Sequence, residues 1–120
     1  MTQSLRVLGQ ATLTDSTEVA VYTVTTTPHA ELAPRSIMQS IVTSILVCNT
    51  NAAAKSYTLK VVPFGEVSAV KHTIISSKSV PSNGTDSLNP GITMRSGDII
   101  YGIGDTSSNF SISIFGIEIL

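Results

Sequence analysis

Short runs of β-forming residues, cut by proline, glycine and asparagine about every 8 to 12 residues, constrain this chain more than any other feature. No stretch carries the 3.6-residue apolar period of a long helix. The pattern predicts an all-β chain of about eight short strands, an antiparallel β-sandwich or jelly-roll-like fold. With 120 residues the chain is read as a single domain, residues 1–120.

The run T-S-I-L-V-C-N, residues 43–49, closes the longest apolar segment and predicts the central strand. Its segment, residues 37–49, is long for one strand, so a break is expected near Gln39 and Ser40. Before it, residues 5–9 and 18–24 read as strands. In the second, Val19 and Val21 share one face and Ala20, Tyr22 and Val24 the other. Between that strand and the central one, Pro28 and Pro34 rule out a continuous ladder, so residues 25–35 read as a projecting loop or edge segment.

After it, residues 56–64 alternate with Tyr57, Leu59 and Val61 on one face, which implies one wet face. Residues 71–76, 84–88, 92–94 and 98–103 follow as short strands, with Asn89-Pro90-Gly91 and Ser96-Gly97-Asp98 as turns. In the last strand, residues 109–120, Phe110, Ile112 and Ile114 alternate with serine, and then the apolar series moves to Phe115, Ile117 and Ile119. That slip predicts a bulge at Gly116; the alternative is a segment covered on both faces by a neighbour. The apolar ending G-I-E-I-L suggests a terminus tied into a sheet or an interface.

Seven basic and eight acidic residues leave a formal charge of −1, which argues against nucleic acid as the main ligand. Charged residues make up 12%, about half the usual share, and this points to a subunit that buries surface against neighbours. The single cysteine, Cys48, excludes an intrachain disulfide and reads as a small buried hydrophobe. No apolar run reaches the length of a membrane span, and the first residues lack the apolar region of a signal peptide, so synthesis in a reducing cytoplasm is expected.

No residue pattern carries chemistry. Gly102-Ile103-Gly104-Asp105 lacks the third glycine and following helix of a dinucleotide loop. Asp15, Asp86, Asp98 and Asp105 are scattered over turns without calcium-loop spacing. His29 and His72 lack metal-ligand spacing and read as a solvated loop histidine and a surface strand histidine. The triplets at Asn83 and Asn109 fit the glycosylation pattern, but no secretory signal accompanies them. Tyr57, Tyr101 and Phe64 are the candidates for a carbohydrate or protein groove. The expectation is a non-enzymatic chain with no catalytic residue, cofactor or metal.

Several segments, in order along most of the chain, resemble a family of small virion proteins of tailed bacteriophages. They are S-L-R-V-L-G-Q (4–10), V-Y-T-V (21–24), S-I-L-V-C-N (44–49), Y-T-L-K-V-V-P-F-G (57–65) and K-H-T-I (71–74). L-N-P-G-I-T-M-R-S-G-D-I-I (88–100) and F-S-I-S-I-F-G-I-E-I (110–119) complete the set. The chain departs from the family after Val24, where residues 25–39 are longer and hold two prolines, which suggests an added contact loop. The resemblance implies a structural part of the virion: a capsid decoration or cement protein bound as oligomers, with trimers favoured, to the major capsid protein. The alternative is a tail, neck or fibre-associated module that binds a host-surface glycan or receptor. Neither placement implies nucleic acid or a membrane as partner. The expected contact residues are Leu5 and Val7 of the first strand, and Pro28, His29, Leu32, Pro34 and Arg35 of the loop. Phe115, Ile117, Ile119 and Leu120 of the last strand complete them.

Overall fold

The computed structural model of the chain describes residues 3–15, 17–24, 39–106 and 109–119. Its strands are β1 (Gln3–Thr12), β2 (Val19–Thr23), β3 (Gln39–Asn49), β4 (Lys55–Val62) and β5 (Thr73–Val80). They continue as β6 (Thr85–Leu88), β7 (Ile92–Arg95), β8 (Ile99–Gly104) and β9 (Phe110–Ile119), and a single 3₁₀ turn spans Val70–His72.

The antiparallel pairs are nested: β4 with β5, β3 with β6 and β7, β2 with β8, β1 with β9. One long hairpin therefore folds over on itself. The β3–β9 and β4–β8 ladders join its turns into two sheets, β1-β9-β3 with β6 and β7, and β2-β8-β4-β5. This is jelly-roll connectivity, and the all-β sandwich expected from the strand spacing is the fold. Strands β6 and β7 share one place beside β3, β6 along Ile45–Cys48 and β7 along Gln39–Val42. Pro90 lies in the break between them; it has no N–H for a ladder, and Gly91 turns the chain with φ of +63°.

The core lies between the sheets and is built from alternate residues. On β3 these are Val42, Ile45 and Val47, on β4 Tyr57 and Leu59, on β9 Phe110, Ile112 and Ile114. The central placement of β3 is as expected, with β9 on one side and β6 and β7 on the other.

Four expectations are corrected. The irregularity in β3 is not at Gln39–Ser40, which pair regularly with β9, but between Val42 and Ser44. In β2 a register shift between Ala20 and Tyr22 buries Val21 and Tyr22 together, where strict alternation would separate them. Lys71 and His72 belong to the 3₁₀ turn, not to a strand, and His72 is only 7% exposed. Cys48 is half-buried, on the opposite side of β3 from the buried series Ile45, Val47 and Asn49.

Candidate functional site: an apolar outer face

Strand β9 contains no bulge at Gly116. Its buried series runs on without interruption through Phe110, Ile112, Ile114 and Gly116. The extra residues lie in its neighbours: Leu8 of β1, between Val7 and Gly9, and Thr43 of β3, between Val42 and Ser44. Gly116 is required for a different reason. A Cβ there would lie 2.1 Å from the backbone oxygen of Ile41, so only hydrogen fits.

The apolar slip in the sequence is therefore a change in what the outer face of the sheet is made of. Ser111 and Ser113 occupy it at one end, and Phe115, Ile117 and Ile119 at the other. Residues paired directly across strands point to the same side, so three rows form. Leu5, Ile117 and Ile41 make one, Val7, Phe115 and Ser44 the next, and Gln3, Ile119 and Gln39 the third. None of these nine residues is charged. Leu5 is 82% exposed and Val7 46%, while Ile41, Phe115, Ile117 and Ile119 are half-buried. A cleft of about 380 Å³ adjoins the face at Ile41 and Ile119 and is also lined by Thr93, Met94 and Arg95 of the neighbouring β7.

The third row continues on β7 with the exposed Arg95, opposite Gln39, while Glu118 lies on the inner side of the sheet. Glu118 takes a 3.0 Å ion pair from Arg6 and a 2.9 Å hydrogen bond from the Tyr22 hydroxyl, which also meets Ser40 Oγ at 2.5 Å. Tyr22 comes from the opposite sheet, so this cluster ties the two layers together. Burial, and then the nearby Glu118 carboxylate, push the Tyr22 hydroxyl up to about 12. Tyr57 does the same farther along the sandwich: its hydroxyl donates to Asp86 Oδ2 at 2.5 Å, and Lys78 pairs with the same oxygen at 3.1 Å. Burial works against the ionised Asp86, but the Tyr57 and Lys78 hydrogen bonds outweigh it, so its carboxyl lies below the usual range.

Of the expected contact residues, Leu5, Val7, Phe115, Ile117 and Ile119 are brought together on this face. Pro28, His29, Leu32, Pro34, Arg35 and Leu120 lie outside the described residues. Ile41 was not anticipated; its place opposite Ile117 depends on register, and its own segment, Q-S-I-V-T-S, has no alternation that would assign it a face. The suggested aromatic groove does not form: Tyr57 is in the core, Tyr101 is half-buried on β8, and Phe64 is exposed in the β4–β5 connection.

The turn aspartates serve the backbone. Asp98 accepts N–H bonds from Phe64 and Arg95, and Asp105 accepts from the Ser56 N–H and hydroxyl. Among the described residues, no group of three or more His, Cys, Asp and Glu side chains is placed to hold a metal ion. No described helix is long and apolar enough to cross a membrane. No protein-family model matches the chain, and neither a curated protein nor a solved structure matches it significantly.

Proposed function

We propose that the chain is a non-enzymatic structural protein of a tailed-phage virion, a capsid decoration protein whose copies associate with one another and seat on the major capsid protein. The observation that carries this reading is the apolar cluster of Leu5, Val7, Ile41, Phe115, Ile117 and Ile119 on the outer face, which reaches the sheet's edge at β1. Three strands about 4.8 Å apart and three outward levels about 7 Å apart give it a planar extent of roughly 300 Å². Six of its nine residues are apolar, which makes roughly 200 Å² of apolar extent. Covering that contributes roughly 5 kcal/mol per copy at about 25 cal/mol per Å², before the cost of association is subtracted. Repeated over a lattice, such contacts resist internal pressure.

The occupant proposed for this face is a second copy of the chain. Around a threefold axis the apolar face of one copy covers a neighbouring surface of the next, a heterologous contact that closes into a ring. The low overall charge, and the resemblance of its segments to those of small virion proteins, support the same reading. A homotrimer is the favoured assembly.

Light scattering on the size-fractionated protein, with co-sedimentation on capsids, tests the proposal. An oligomer that binds capsids is expected, and electron microscopy of particles should place many copies on the capsid surface. A dozen or fewer copies at the tail would make it a tail, neck or fibre module instead. A stable monomer at high concentration that ignores capsids would overturn the reading.

A further inference from the structure

The β4–β5 connection, residues 63–72, displays three large apolar side chains to solvent: Phe64 at 72% exposure, and Val67 and Val70 at 86% each. The backbone that carries them is tied to the rest of the fold. Here it is held at several points. The Phe64 N–H donates to Asp98 Oδ1 at 3.0 Å, the Glu66 N–H to the Pro63 carbonyl at 3.1 Å, and Lys60 Nζ to Ser68 Oγ at 3.4 Å.

The remaining tie is His72, the only buried polar side chain of this connection. Its backbone N–H donates to the Ala69 carbonyl at 3.1 Å, and the Ala69 N–H donates back to His72 Nδ1 at 3.0 Å. On the far side of the ring, Nε2 lies 3.0 Å from Glu66 Oε1. A backbone N–H can only donate, so Nδ1 is bare. Nε2 then carries the ring proton and donates to Glu66. The observed geometry is satisfied by the neutral Nε2–H tautomer alone.

We propose that His72 is a pH-operated latch on the 63–72 connection: its bare Nδ1 holds the Ala69 N–H, and protonation there expels that N–H and loosens the segment that carries Phe64, Val67 and Val70. The step is a proton gain at Nδ1 and the loss of one acceptor.

The charged groups around the ring leave the imidazole as the one that changes. Glu66 and Lys71 face it from its own connection, and Lys71 Nζ already lies 3.0 Å from the same Glu66 oxygen. Hydrogen bonds from His72 and then Lys71 hold the Glu66 carboxyl below its usual range, so it stays ionised on mild acidification. From β4, Lys60 is paired with Glu18 at 2.7 Å, and that hydrogen bond holds Glu18 low as well. Histidine is the side-chain type that changes charge between about pH 5 and 8. A cationic ring keeps its bond to Glu66, which becomes charge-assisted. What is lost is the cap on Ala69, where two N–H groups would then face each other.

Nitrogen-15 spectra of the imidazole and amide hydrogen exchange test this on the intact chain. At about pH 7.5 the ring should be the Nε2–H tautomer. On moving to about pH 5, protection of the Ala69 amide, corrected for intrinsic exchange, should fall roughly five- to tenfold while Ile45 and Ile114 hold. His72→Asn presents a non-titrating oxygen where Nδ1 stood, so Ala69 should be equally protected at both pH values. His72→Ala should leave Ala69 unprotected at both. An Nδ1–H tautomer at neutral pH, or Ala69 protection in the unaltered chain that does not respond to pH, would overturn the proposal.

Discussion

Val7 of β1 stands directly opposite Phe115 of β9, and both side chains lie on the side of the sheet away from the core. The pair is where two structural facts meet. The residue after Val7, Leu8, is the extra one that β1 needs to stay paired, and the residue before Phe115, Ile114, is fully buried. The apolar outer face and the core are thus set back to back across a single strand.

Replacing Phe115 and Ile117 together by serine should leave the fold intact, because neither side chain belongs to the core cluster. Self-association should weaken. Each such side chain, once covered, contributes up to about 1.5–3 kcal/mol, or about ten- to a hundredfold in affinity. Light scattering across a dilution series should show oligomers giving way to monomers, and unchanged thermal unfolding at high dilution confirms that the fold survives.

Gly116→Ala should act in the opposite way, on the fold rather than on assembly. The new methyl group would meet the Ile41 carbonyl oxygen at 2.1 Å, and backbone cannot yield as a side-chain tip can. A loss of about 1–3 kcal/mol is expected in denaturant titration. A stability equal to that of the unaltered chain would mean that β3 and β9 are not in this register.

Tyr22 makes stability sensitive to alkali. Its hydroxyl is pushed up to about 12 in the folded chain, above its ordinary value near 10. A raised value stabilises the fold fully below about pH 10, and the benefit is lost as pH rises from there towards 12. Melting temperatures should therefore drop over that window, and Tyr22→Phe should drop less steeply. The variant should also be weaker by about 1–2 kcal/mol at neutral pH, since Ser40 and Glu118 each lose a partner.

Asn49 ends β3, and its side chain is fully buried. Its amide nitrogen donates to the carbonyls of Ala53, Val80 and Pro81, and its oxygen accepts from the Asn51 N–H. Asn49→Ala should cost roughly 2 kcal/mol or more, because several carbonyls in a covered site lose their donor at once. Hydrogen exchange should show the loss concentrated at residues 49–54 and 80–84.

Much of the fold is legible before any coordinates. Alternation marks Tyr57 and Leu59 as inward, and Asn89-Pro90-Gly91 marks a break that separates β6 from β7. The serine-to-isoleucine change within β9 is equally plain in the letters, but its meaning is not. A bulge at Gly116 and a two-faced strand produce the same apolar pattern, and only the pairing with Val7 and Ser44 separates them. His72 reads from the sequence as a surface strand residue for a related reason. One histidine near a glutamate six residues away is common; its burial and its bond to the Ala69 N–H arise from a 3₁₀ turn too short to leave a period in the sequence.

By itself the sequence determined the class of structure: many short strands, little charge, and apolar residues enough for one core. These are local properties, set by side-chain type and by where proline and glycine interrupt the backbone. The tertiary structure alone decided which strand lies beside which, and so which apolar residues are core and which are surface. Leu5, Val7, Ile41, Phe115 and Ile117 come from three distant segments, and they form a face only because the nested hairpin lays those segments side by side. Register carries that information, and register depends on partner strands whose bulges at Leu8 and Thr43 no single segment reveals.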